Sequence, residues 1–269
     1  MNLNIIDTHA HLDMPEFDED RGEVIKRARD SGVTNIVTIG ISPESNQRAV
    51  EIAEQYPNVW ASIGIHPQEI NGIQKMDIEN LVDLAKNPRV VAIGELGLDY
   101  YRDRSPHEDQ VRVLKWQLEA AKKAGLPVIV HCRQAQEDMI PILSEWCDSY
   151  KMPDNRPYGV LHCFSADNNV AEIYMKMGFY ISLGAYIGYP SSAGLRSVIK
   201  NIPLNKLVLE TDCPFLPPQK YRGKRNEPAY TLITLEVLAE IKQMAIDEIS
   251  GQTTRNAINL FNLHNISYG

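Results

Sequence analysis

Two histidines stand one residue apart in Asp7-Thr8-His9-Ala10-His11. At the end of an extended segment, side chains two positions apart face the same way, so both imidazoles lie close enough to share a metal ion. Asp7 has the same parity and is placed to orient one of them. Surface or core histidines also occur in this spacing, so position decides between the readings. Two further histidines each close a short apolar run: His131 after Pro127–Val130 and His162 after Gly159–Leu161. Glu95 follows Val90–Gly94, and Asp212 comes just after the run that ends at Leu209. A carboxylate at the end of an apolar strand is costly unless it is paired or bound to a cation. Glu95 is therefore either a bridge between two cations or a loop acid paired with Arg102 or Arg104, a role for which Asp99 is a second candidate. Asp212 is a ligand, an acceptor of a proton from water, or both. Glu210 either supports this site or forms a buried ion pair.

Four imidazoles and two carboxylates suit divalent ions of borderline character such as Zn2+ or Mn2+, whereas Mg2+ prefers oxygen ligands, and the choice among the three stays open. Two such cations about 3.5–4 Å apart generate a nucleophile from water near neutral pH and stabilise the attacking and leaving oxygens. Hydrolysis of a phosphoester or acyl bond is the expected chemistry. Glu95 and Asp212 are the expected catalytic carboxylates. His66, in Gly64-Ile65-His66-Pro67, meets substrate, supports the ligands, or holds its own turn. Arg133 engages a phosphate or pairs with Glu95 or Asp212. Lys220, Arg222, Lys224 and Arg225, with Tyr221 interleaved, form a phosphate-contact surface or a solvated basic loop, and the metal site beside them favours phosphate. His107 and His264 read as structural or solvated.

The elements that must bring these residues together are legible as alternation. β-Branched runs appear at Leu3 to Thr8, Asn35 to Gly40, Val59 to Ile65, Val90 to Gly94, Pro127 to Val130, Gly159 to Leu161, Phe179 to Leu183 and Lys206 to Leu209. Helical spacing lies between them, clearest at Glu23 to Asp30, Glu44 to Gln55, Glu108 to Ala124 and Glu236 to Gln243, with Gly32 and Gly125 at expected helix ends. Eight β/α units in 269 residues predict an α/β fold, a TIM (β/α)8 barrel forming a single domain over residues 1–269. Only closure of the sheet brings together the ends of the first, fourth, fifth, sixth and eighth strands.

Composition is that of an ordinary globule, with 43% hydrophobic and 23% charged residues. No apolar run approaches the roughly 20 residues of a spanning helix, and the first residues lack signal-peptide character, so cytoplasmic residence is expected, with no membrane association and no obligate protein partner. The net charge of -8 disfavours non-specific binding to a polyanion, so any nucleic acid must be held locally. The four cysteines are expected as reduced thiols. Strand alternation points Cys132, Cys163 and Cys213, each next to a candidate ligand, away from the metals.

Taken in order, Asp7-Thr8-His9-Ala10-His11-Leu12-Asp13, Gly64-Ile65-His66-Pro67, Gly94-Glu95-Leu96-Gly97-Leu98-Asp99-Tyr100, His162-Cys163-Phe164-Ser165 and Glu210-Thr211-Asp212-Cys213-Pro214-Phe215 resemble the TatD family. The likeness continues through Arg222-Gly223-Lys224-Arg225-Asn226-Glu227-Pro228 to Thr254-Arg255-Asn256-Ala257 and Leu260-Phe261. It implies a metal-dependent hydrolase of the amidohydrolase superfamily with deoxyribonuclease activity, often exonucleolytic from the 3′ end, and DNA as substrate. It also implies that His9, His11, Glu95 and Asp212 surround one metal while Glu95, His131 and His162 hold a second. Ala166, Cys213 and Phe215 depart from the family's commoner Gly, Ala and Tyr and bear on pocket lining. Ester or amide hydrolysis, for instance D-aminoacyl-tRNA deacylation, is the alternative chemistry, and a non-catalytic metal-binding scaffold the alternative class.

Overall fold

The computed structural model of the protein describes residues 3–102 and 104–263. Its strands are β1 (Ile5–Ala10), β2 (Val33–Ile39), β3 (Val59–Ile63), β4 (Val90–Asp99), β5 (Val128–Arg133), β6 (Gly159–Leu161), β7 (Phe179–Leu183) and β8 (Leu207–Leu209). All pair in parallel with their chain neighbours, in the order β1 to β8. Between them run α1 (Arg21–Asp30), α2 (Pro43–Gln55), α3 (Lys75–Leu84), α4 (His107–Ala124), α5 (Gln136–Ser149), α6 (Asn168–Lys176) and α7 (Ala193–Asn201), and α8 (Thr231–Lys242) and α9 (Ile246–Phe261) follow β8. The first and last strands meet. The Thr8 hydroxyl donates to the Leu209 carbonyl at 2.9 Å, the Asp212 N–H to the His9 carbonyl at 2.9 Å, and the His11 N–H to the Cys213 carbonyl at 2.8 Å. The fold is the expected TIM barrel, closed by bonds that span about two hundred residues of chain.

Local chemistry sets the element ends. α2 opens with the Ser42 hydroxyl accepting the Ser45 N–H and Pro43 in its first turn, where the missing N–H costs nothing. α4 stops at Gly125, whose φ of +66° is the left-handed cap that glycine takes most readily. β4 is the main departure. Its end was expected at Gly94, yet it continues to Asp99, because Gly94 and Gly97 do not break the strand but let it run against β5. Their φ values are +150° and +149°, a Cβ on Gly94 would sit 2.5 Å from the Ile129 carbonyl oxygen, and one on Gly97 would overlap the His131 carbonyl. The longer strand carries Asp99 into the site.

Val91, Ile129, Val160 and Val208 share the parity of Glu95, His131, His162 and Asp212, and pack with Leu260 and Phe261 of α9 in one apolar cluster. A larger cluster fills the space between strands and helices. Catalytic-face donors thus sit above a packed floor. Among the described residues no helix is long and apolar enough to cross a membrane. His264 lies outside the described residues.

Candidate metal centre

The six candidate ligands converge. His9 Nε2 lies 3.2 Å from His11 Nε2 and 3.3 Å from Glu95 Oε2, and His11 Nε2 is 3.4 Å from Asp212 Oδ1. On the other side Glu95 Oε1 is 2.8 Å from His131 Nδ1 and 3.1 Å from His162 Nε2. The His9 and His162 rings stack at 3.9 Å. His66, expected at the substrate or behind the ligands, brings Nε2 to 3.6 Å from Glu95 Oε1. Three donor groups result, each with its ligand atoms within 4.8 Å of one another: His9, His11 and Asp212; His9, Glu95 and His162; and His66, Glu95 and His131. Glu95 belongs to two of them, with one oxygen facing the β1 pair and the other facing β5 and β6. Glu95 is buried among these imidazoles, which excludes the loop acid paired with Arg102 or Arg104.

Further residues set the orientation of the rings. His11 Nδ1 faces the Ile39 carbonyl at 3.2 Å, which turns Nε2 to the centre, where it offers a lone pair once the ring is neutral. Asp99 is buried, accepts the Tyr101 and Arg102 backbone N–H groups through Oδ1, and places Oδ2 3.3 Å from His131 Nε2. It is therefore not the partner of an arginine side chain but a carboxylate behind His131. Glu210, directly after β8, repeats the device for His162: Oε1 accepts the Cys163 N–H at 2.7 Å, and Oε2 stands 3.5 Å from His162 Nδ1. Asp7 does not reach an imidazole. Its carboxylate accepts the N–H of His9 and both the N–H and hydroxyl of Thr211, tying β1 to the loop after β8. Asp212 itself adopts φ +58°, a left-handed conformation that a non-glycine residue holds only when its surroundings enforce it.

Burial opposes every charge in this cluster, and neighbouring charges answer it. Burial pushes the Glu95 carboxyl up, but His162, His66 and His131 outweigh it and hold the group well below the usual carboxylate range. Burial lowers His9, aided by the charge of His162, and takes His66 down to about 3. At His11 Asp212 overcomes burial and raises the imidazole to about 9, while at His162 Glu95 and Glu210 raise it well above its ordinary value. Histidine ligates only when neutral, so a cation entering the cluster replaces these protons. The buried ring atoms His9 Nδ1, His131 Nε2 and His162 Nδ1 have no partner in hydrogen-bonding geometry. These atoms point away from the shared Glu95, His131 Nε2 towards Asp99 and His162 Nδ1 towards Glu210, and it is the donor set itself, nitrogen-rich with mixed carboxylates, that fits divalent cations.

The basic residues divide. Arg133 places its guanidinium 3.9 Å over the Tyr101 ring, not on Glu95 or Asp212. Arg222 sits 5.5 Å over the Tyr189 ring and Lys224 is exposed. Arg225 is engaged elsewhere, with its guanidinium 2.8 and 2.7 Å from the two Asp20 oxygens, 3.3 Å from Glu227 Oε1, and 4.7 Å over Phe17. Basic side chains in one loop thus have different geometry, which spacing alone does not reveal. Among the described residues the four cysteines are unpaired thiols. Burial keeps Cys132 protonated up to about 12, and Cys132 faces Tyr174. At Cys163 strand alternation no longer applies, because β6 ends at Leu161 and φ is +49°, and the thiol lies within the field of Asp212, Glu210 and Glu95. Burial and those charges push its thiol up, and it supplies no thiolate.

Residues 6–262 match the family model described as TatD related DNase. An uncharacterized metal-dependent hydrolase of Bacillus subtilis, YabD, is 40% identical over 260 residues, covering 97% of this chain and all of that protein. The 3'-5' ssDNA/RNA exonuclease TatD of Erwinia amylovora is 35% identical over 265 residues, covering 96% of this chain and all of its own length. The crystal structure of YjjV, a TatD homologue from Escherichia coli, superposes with a TM-score of 0.90 at 33% identity, over 97% of this chain and 99% of the other. The barrel, its mouth and the segments that carry every candidate donor all fall inside these matches, and the chain belongs to the TatD related DNases, a family of metal-dependent hydrolases.

Proposed function

We propose that the protein cleaves phosphodiester bonds of single-stranded nucleic acid, with DNA as the primary substrate and attack beginning at the 3′ end. The observation that carries this reading is Glu95, which faces imidazoles from β1 with one oxygen and from β5 and β6 with the other. We assign His9, His11, Asp212 and Glu95 to one divalent cation and Glu95, His131 and His162 to a second, with Zn2+, Mn2+ and Mg2+ as candidates. Bound there, the cations supply Lewis acidity and acidify a water. Asp212, whose side chain reaches the mouth and whose carboxyl is held low by His11 against burial, takes the proton of the attacking water. Glu95 is too enclosed for that exchange and keeps the two donor groups in register. Asp99 and Glu210 hold the rings of His131 and His162 from behind. His66 closes the mouth beside Glu95, and Arg133, Arg222 and Lys224 meet phosphates. Arg225 is better placed as a brace of the loop after β8 through Asp20. Residues 1–269 act in this reading as one hydrolase domain.

Relatives named as ssDNA/RNA exonucleases support a phosphodiester over the aminoacyl ester considered from sequence. The test is digestion of an end-labelled single-stranded oligonucleotide by metal-loaded protein, by chelated protein and by His131→Ala. Product ladders shortening from the 3′ end only with metal and only with the wild-type protein are expected. Undiminished cleavage after chelation and in the variant refutes the assignment.

A further inference from the structure

Among the described residues the exposed large hydrophobic side chains are Met76, Tyr101 and Phe215. Met76 stands on the first turn of α3. The other two flank the metal centre, and an aromatic ring left in water beside a functional centre calls for a ligand face. Phe215 is 47% exposed, and its ring meets His11 edge-on at 5.9 Å between centroids. Its backbone is fixed: its N–H donates to the Asp212 carbonyl at 2.9 Å, and the Asn226 amide donates to the Phe215 carbonyl at 2.6 Å and to that of Thr211 at 2.8 Å. The loop therefore holds the ring outward on a rigid base.

Tyr101 is 57% exposed and equally anchored. Its N–H donates to Asp99 Oδ1 at 3.0 Å, and Asp99 touches His131 at 3.3 Å. The exposed Arg133, two residues beyond His131, covers one face of the ring at 3.9 Å. Each ring is thus linked through one residue or none to a donor of the centre. The two stand on opposite arcs of the mouth. With strands in the order β1 to β8, the β4/β5 rim that carries Tyr101 and Arg133 lies across the barrel from the β8/β1 rim that carries Phe215. A chain running from one to the other passes over the donors.

Aromatic faces spaced along a path with a guanidinium beside one of them suit a strand whose bases are unpaired, since a paired base in duplex has no face to offer, and stacking accepts every base. We propose that Phe215 and the Tyr101–Arg133 pair are two base-stacking platforms that hold unpaired nucleotides on either side of the scissile phosphate, with Arg133 directing N–H groups to an adjoining phosphate. This rests on the nucleic-acid reading above and adds to it a sequence-tolerant selection for single strands.

The experiment uses full-length protein loaded with Mn2+ and two oligonucleotides of equal length, one natural and one carrying abasic sites at the nucleotides flanking the cleaved bond. Tyr101→Ala and Phe215→Ala each raise KM for the natural strand about 10-fold, within the roughly 5- to 150-fold that loss of one stacked base brings. The effect on KM exceeds that on kcat, and Tyr101→Phe restores most of the loss. For the wild type the abasic strand raises KM by a comparable factor, and each alanine variant loses its sensitivity to the abasic site it faces. Both rings are exposed, so unchanged thermal midpoints are expected. Wild-type cleavage with unaltered KM in both alanine variants, or equal KM for natural and abasic strands, overturns the platforms and leaves the nuclease reading standing. Absence of cleavage of any oligonucleotide by the wild type overturns both.

Discussion

Replacing Glu210 by Gln removes one charge behind His162 while leaving the volume and an acceptor for the Cys163 N–H. Glu210 Oε2 lies 3.5 Å from His162 Nδ1, and both groups are buried. Two full charges at that separation in an effective dielectric of about 20 interact by about 5 kcal/mol. A neutral imidazole polarised by a bound cation carries only part of a charge, so at a pH high enough for His162 of the metal-free protein to have lost its proton, about a third to a half of that attraction is at stake, about 1.5–2.5 kcal/mol, or roughly 10- to 70-fold in metal affinity. This agrees with the 10- to 100-fold typical of groups that orient a metal-bound histidine. Competition against a chelating fluorophore measures the affinity directly, without reference to turnover. Glu210→Gln is expected to weaken binding of the cation held by His162 while the thermal midpoint of the metal-free protein shifts by a few degrees at most. Wild-type metal affinity in Glu210→Gln refutes the assignment of Glu210 as an orienting carboxylate. A large loss of stability with unchanged affinity shows instead that its bond to Cys163 is its whole contribution.

Gly97→Ala places a methyl group against the His131 carbonyl at a φ of +149°, so a loss of at least about 3 kcal/mol in denaturant unfolding is expected, with failure to fold as the extreme. Wild-type stability would show that β4 does not run as close to β5 as described. Arg225→Ala removes the pair with Asp20, which is partly exposed, so stability falls by about 1 kcal/mol and substrate KM changes little. An increase in KM at unchanged stability returns Arg225 to the phosphate-binding set. The metal-free protein holds His11 protonated up to about pH 9. Its folded pKa is raised, so the stabilisation is fully present below the unfolded value of 6.5 and disappears as pH rises through about 9. Cation loading at pH 7 must accordingly release protons, which calorimetry in buffers of different ionisation enthalpy detects; buffer-independent heats at pH 7 contradict that protonation state.

Much of the candidate site is legible before any fold is known, because strand periodicity is a local property. His9 and His11 share a face through their spacing of two, and His131, His162 and Asp212 follow apolar runs whose length and β-branching mark them as strands. Eight such runs with helices between them in 269 residues leave few architectures other than a barrel. What escapes local reading is every relation that depends on closure or on neighbouring strands. Gly94 and Gly97 look like punctuation, and only the close approach to β5 shows that they let β4 continue and bring Asp99 to His131. Glu210 meets His162 across 48 residues of sequence, and Arg225 meets Asp20 across 205. Cys163 leaves the alternating pattern because β6 is three residues long. The amino-acid sequence by itself determined which donors the strand ends offer. The tertiary structure decided which of them come together, which carboxylates stand behind them, and which arginine is engaged elsewhere, because those outcomes are set by distances between segments whose separation along the chain carries no local signal.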